Sequence, residues 1–188
     1  MSVVSALEFF VESTLKTYPR LERWHDPDWP SPCEYGQPFT APDGEQRILW
    51  HPVRRRVAAD DLAGLERALE IPIHPDIKDY YGAYWSGGLE ATAPQGHVSL
   101  ILLWNAEDAD RLVENLIGHA LAKRQARCPF TVFFACTDPE ADTFLSIDNE
   151  TGRIVLEEPG RPPLRTVADC LEEFLDTLVP AAPADQLV

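Results

Sequence analysis

Apolar residues recur at helical spacing from residue 3 to 17, with Val3, Leu7, Phe10, Val11 and Leu15 on one side and Glu8, Glu12 and Lys16 on the other. This pattern predicts an amphipathic helix. Leu62, Leu65 and Leu69 repeat it after Asp60 and Asp61, either of which can cap a helix start, and Pro72 closes the segment. A third helix is expected from Pro75 through Ile77, Tyr80, Tyr81 and Tyr84 until the Gly87-Gly88 pair stops it. Residues 98–104 are too short and too branched for an independent helix and read as a central strand. Asn105 then offers a cap to a long helix over about 107–127, with Leu112, Leu116, Ile117, Ala120 and Leu121 inward. Residues 130–136, 143–147 and 153–157 look like three consecutive strands, and the Asn149 to Gly152 turn suits a tight reversal needing positive φ. Thr166 is placed to cap a last helix that turns Val167, Cys170, Leu171, Phe174 and Leu178 inward and ends at Pro180.

Between residues 19 and 52 there are seven prolines, which fix φ and remove backbone donors. An ordered but irregular wrap is expected there, with one short strand at 47–50 and Trp24, Trp29, Phe39 and Trp50 pinning it to the body. The order of elements, helices first and hairpin-linked strands later, predicts an α+β fold: a mostly antiparallel sheet flanked by helices. A single domain is expected over 1–180 and a loose tail over 181–188; at 188 residues one core suffices.

Charge narrows the function classes. The chain carries 31 acids against 16 Lys and Arg, a formal charge of -15. That balance argues against nucleic acid and anionic lipid, whose phosphates are met by Lys and Arg. Residues 128–188 hold twelve acids and three bases, while 104–127 hold four of each. Such an excess on one side of a small sheet would steer a basic partner. Exposed ion pairs contribute only about 0.2–1 kcal/mol each, so aromatic anchors are also needed, with Tyr80, Tyr81, Tyr84, Trp85 and Trp104 as candidates. The start of the chain has no basic stretch before its apolar residues and reads as cytosolic, and the longest apolar run is far short of a bilayer span. The four cysteines show no C-x-x-C pair and read as free structural thiols.

Motifs for catalysis are missing from the sequence: there is no phosphate loop, dinucleotide fingerprint, H-E-x-x-H or G-x-S-x-G. Asp138, Glu140 and Asp142 alternate like the opening of a calcium loop, yet the required Gly and closing Glu are absent and Pro139 intrudes, leaving a charged hairpin. No enzyme activity, metal or cofactor is expected. The densest polar cluster on one element is Glu107, Asp108, Asp110, Glu114, Asn115 and His119. Acids in a first helical turn oppose the positive end of the dipole, and a single His is commonly a structural donor. The same residues are the strongest candidates for meeting a partner, together with Glu158 in the acidic C-terminal third.

Residues 62–91, LAGLERALEIPIHPDIKDYYGAYWSGGLEA, resemble the SUKH superfamily pattern: an acid-containing helix, a proline-led second helix and a terminal glycine pair. SPC at 31–33, WHP at 50–52, IHP at 73–75, LLW before the long helix, ENLIGH at 114–119 and the N-E-T-G turn before RIVLEEPG are similar to the Syd family. The resemblance covers nearly the whole chain. It implies a protein without enzymatic activity that docks a concave acidic groove onto basic cytosolic loops of the SecY translocon channel and checks or sequesters abnormal or uncomplexed SecY. Membrane contact would come only through SecY, at the cytoplasmic side of the bacterial inner membrane. Partner-binding residues would be Tyr81, Tyr84, Trp104, Glu107, Asp108, Asp110, Glu114, Asn115, His119 and Glu158. The SUKH pattern alone leaves an alternative open, an immunity protein that neutralises a basic toxin. The Arg54-Arg55-Arg56 run and the proline-containing tail depart from the Syd pattern.

Overall fold

The computed structural model describes residues 2–55, 62–138 and 141–183. Helix α1 (Val3–Thr17) begins at Ser2, whose side chain accepts a hydrogen bond from the Ser5 amide, and buries Val3, Ala6, Leu7, Phe10 and Val11 as the periodicity predicts. The proline-rich segment is more regular than expected. It forms a three-stranded antiparallel sheet of β1 (Leu21–Trp24), β2 (Glu34–Thr40) and β3 (Gln46–Trp50), with β3 in the middle. Six of the seven prolines fall in connections, and Pro38 sits where the register of edge strand β2 shifts between Tyr35 and Phe39. An edge strand tolerates a residue that cannot donate.

Strand β4 (Val53–Arg54) pairs with β5 (Tyr84–Trp85), bracketing α2 (Ala63–Leu69) and α3 (Pro75–Ala83). The expected caps Asp60 and Asp61 lie outside the described residues. Glu66 holds the two helices together by accepting from the Ile73 amide at 2.8 Å and pairing with Lys78 at 2.6 Å. The Ile73 N–H, and then Lys78, hold its carboxyl below the usual glutamate range.

The rest of the chain forms β6 (Leu89–Ala93), β7 (Gly96–Leu100), α4 (Ala106–Ala126), β8 (Thr131–Cys136), β9 (Phe144–Asp148), β10 (Ile154–Glu157), β11 (Arg165–Ala168), α5 (Leu171–Asp176) and β12 (Val179–Pro180). Seven strands make one sheet in the order β11-β10-β9-β8-β7-β6-β12, antiparallel throughout. The fold is α+β, as expected. Leu100, Ala135, Leu145 and Leu156 are paired in register and share one face, toward α3 and α5, where Phe134 meets Tyr80 and Phe174 edge-on. Helix α1 packs over α3 and α5 on that side. The other face carries Thr131, Phe133 and Phe144 toward α4.

Several expectations are corrected. Helix α3 ends at Ala83 because Tyr84–Trp85 pair as β5 instead of running on to Gly87, and the central strand is Gly96–Leu100 rather than 98–104. Residues 165–168 form a strand, since Thr166 pairs with Val155 across β10; the last helix is only Leu171–Asp176, with Cys170 rather than Thr166 before it. Pro180 ends no helix but sits in edge strand β12 opposite Ala91. Leu121 is exposed, because α4 turns Lys123 inward instead. Ala181 extends the pairing with a bond to the Glu90 carbonyl, and residues 184–188 lie outside the described residues. The four cysteines are free, but only Cys33 is buried, which pushes its thiol up to about 11; Cys136 is exposed.

Several short motifs are mutual contacts. The N-E-T-G turn docks on the I-H-P segment: Asn149 accepts from the His74 amide at 3.0 Å and donates to the Pro72 carbonyl at 2.9 Å. Gly152, at φ +73°, lies so close that a Cβ there would come within 2.7 Å of the His74 ring. Trp50 of W-H-P lies against Gly87 of the glycine pair.

Candidate docking site

The start of α4 is locked to the N-terminal wrap. Asn105, buried at the cap, accepts from the Asp108 amide at 3.0 Å and donates to the Pro30 carbonyl at 2.8 Å. Asp108 returns a carboxylate oxygen to the Trp104 amide at 3.0 Å. Trp104 donates its indole N–H to the Trp29 carbonyl, and Ser31 donates to the Trp104 carbonyl. Two guanidiniums complete the joint, Arg23 over the Trp104 ring and Arg111 over Trp29, each 3.9 Å from the ring centre. The helix therefore starts from a braced position and leaves Glu107, Asp110, Glu114 and Asn115 exposed. Spacings of three and four place the three acids on one strip of the helix.

Farther along α4, His119 and Lys123 turn inward. His119 Nε2 lies 3.2 Å from the Thr131 hydroxyl, which donates to Glu157 at 2.7 Å, and Lys123 binds the other oxygen of Glu157. Glu157 is fully buried and Lys123 nearly so. Burial, reinforced by Lys123, holds the His119 imidazole below its usual range and so neutral. Phe130, Phe133 and Phe144 surround its ring. His119 is thus tied into a structural network beneath the helix, whereas Asn115, one turn away, faces solvent.

Tyr81, Tyr84 and Trp104 were expected to reach a partner. They are core residues at 1, 5 and 3 % exposure, so their rings offer a partner no useful surface. Tyr81 donates its hydroxyl to the Phe133 carbonyl, and Trp104 packs edge-on with Trp50. An aromatic run at helical spacing has filled the core, and burial pushes both tyrosine hydroxyls above their ordinary range. Glu158 is half-buried and pairs with Arg161 at 2.7 Å. Its neighbour Glu157 is bound to Lys123, sixteen residues along α4 from Glu107, or roughly 24 Å at the helical rise. The structure therefore gathers Glu107, Asp108, Asp110, Glu114 and Asn115 along the N-terminal half of the helix and leaves Glu158 near its other end.

Sequence reasoning missed a second feature. A cleft of about 380 Å³ separates the small sheet from the large one, lined by Glu22, Arg23, Trp24, Trp50, Gly87, Gly88, Glu90 and Pro183. Trp24 is 56 % exposed at its edge. Glu90 accepts from Ser99 at 2.9 Å and pairs with His97 at 2.9 Å. The glycine pair was the available signal, since a Cβ at Gly87 would sit a tight 3.0 Å from the Trp50 ring. Among the described residues no group of three or more His, Cys, Asp or Glu could hold a metal ion, and no helix is long and apolar enough to cross a membrane.

These features define a class: an α+β protein with a seven-stranded antiparallel sheet between helical layers and a charged helix presented from a braced joint. Comparison with known proteins gives the particular family. The family model described as "Syd protein (SUKH-2)" matches residues 4–180. "Protein Syd" of Pseudoalteromonas atlantica is 42 % identical over 156 residues, covering 83 % of this chain and 82 % of the relative. "Protein Syd" of Hahella chejuensis is 48 % identical over 138 residues, 73 % and 71 % of the two chains. "Protein Syd" of Shewanella frigidimarina is 35 % identical over 184 residues, 96 % and 83 %. The chain belongs to the Syd family.

Proposed function

We propose that this protein binds SecY by offering carboxylates to basic cytosolic loops of the translocon channel, and that it regulates or sequesters abnormal or uncomplexed SecY without chemistry or a cofactor of its own. Membership of the Syd family along residues 4–180 carries this reading. The -15 charge and the exposed strip of Glu107, Asp110 and Glu114 on α4 support its mechanism. Asp108 and Asn115 border that strip, Glu158 supplies a separate acid, His119 and Trp104 act from within by setting the helix and its joint, and Tyr81 and Tyr84 contribute as core residues. The protein works in the cytoplasm and reaches the inner membrane only through SecY, with no affinity for nucleic acid.

Titrating the chain against SecY in nanodiscs tests the proposal. Binding should weaken steadily as salt shortens the screening length below about 10 Å, and Glu114→Lys should weaken it further while leaving the fold intact. Binding that ignores both salt and this charge reversal would remove the carboxylate mechanism. The SUKH pattern at 62–91 keeps one alternative, neutralisation of a basic toxin, and protection of cells from a co-expressed cognate toxin would favour it.

A further inference from the structure

A second cavity, of about 250 Å³, opens where the hairpin ends of the large sheet overhang α5. Much of its wall is hydrocarbon, from Val98 of β7, Leu145 of β9, Leu156 of β10, Val167 of β11 and Phe174 of α5, and Gln95, Thr137 and Thr143 add uncharged polar groups. The base is firm, because Phe174 meets Phe134 edge-on at 5.6 Å and Phe134 meets Tyr80 in the same way. This volume exceeds the roughly 150 Å³ that holds a benzene ring and approaches the lower end of small-ligand pockets.

Three groups that can carry charge stand at the rim: His97, Asp138 and Arg165. His97 is held by Glu90 at 2.9 Å, and Asp138 is already engaged. The Arg165 side chain has no hydrogen-bond or ion-pair partner among the described residues, in a chain where acids outnumber bases almost two to one. A guanidinium matches a carboxylate in shape and offers it parallel N–H donors. We infer that this cavity binds a small apolar monocarboxylate, such as an aryl-alkanoic or short-chain acid, with its carboxylate on Arg165 and its hydrocarbon against Leu145, Leu156 and Phe174. None of the residues proposed to meet SecY lines the cavity, so the two readings stand or fall separately.

The test titrates the full chain with 3-phenylpropionate, its neutral amide and the corresponding amine, read by amide chemical shifts in two-dimensional NMR and by the melting temperature. The acid should bind saturably, about tenfold tighter than the amide and tighter still than the amine, with shifts concentrated in β9, β10, β11 and α5. Arg165→Gln, a change at an exposed position, should erase the preference for the acid and keep weak binding of the amide. Val167→Phe should fill the cavity and abolish binding of both. The inference is overturned if the amine binds as well as the acid, if Arg165→Gln leaves the acid unaffected, or if none of the three probes saturates.

Discussion

The pair Lys123 and Glu157 offers the sharpest check on the packing of α4. Glu157 is fully buried, with one oxygen bound to Lys123 and the other to the Thr131 hydroxyl. Lys123→Met keeps most of the side-chain volume but strands a carboxylate in the interior. Breaking a buried pair from one side costs about 3–5 kcal/mol, because the remaining charge has lost its compensation. In a domain of this size each kcal/mol moves the melting temperature by roughly 2–4 °C, so a fall of about 6–20 °C is expected. Replacing both partners, Lys123→Met with Glu157→Leu, removes the desolvation cost along with the attraction and should recover most of the loss, while Thr131 keeps its contact with His119. Urea unfolding of the wild type, the single and the double variant measures this, with unchanged m values showing that the compared states are the same. A single variant within about 1 kcal/mol of wild type would refute the reasoning, as would a double variant no better than the single.

Other consequences follow from particular contacts. Gly152→Ala should destabilise by about 1–3 kcal/mol, since the new Cβ meets both a left-handed backbone and the His74 ring; urea unfolding reads it, and Asn149→Ala should release the same turn by removing two bonds. Asn105→Ala removes a helix cap and the tie to Pro30 together and should cost about 1–2 kcal/mol, with faster hydrogen exchange in the first turn of α4. His119 is held neutral, so the unfolded chain takes up its proton first as pH falls: stability present above the ordinary histidine range, near pH 6.5, should decline through it and on to the lowered folded-state value. His119→Gln should flatten that part of the stability profile, and an unaltered slope would show that another group causes it.

Periodicity determined much of the architecture by itself. Helix α1 and the long helix α4, the strands near 130–136, 143–147 and 153–157, and the cap at Asn105 were legible because each rests on local spacing or a local hydrogen bond. Where local cues competed with pairing, tertiary structure decided. Thr166 and Val167 could begin a helix, but β10 offered them a ladder and their branched side chains fit its pleat. The proline-rich wrap formed a sheet because β3 supplied partners on both sides, which no count of prolines reveals. The exposed acids of α4 could be named from their spacing, whereas the burial of Tyr81, Tyr84 and Trp104 depended on which elements cover them. The grouping of Glu107, Asp110 and Glu114 away from Glu158 is likewise a matter of how α4 crosses the sheet. Net charge is a property of composition, but the distances between charges, and so their combined field, exist only once the chain has folded.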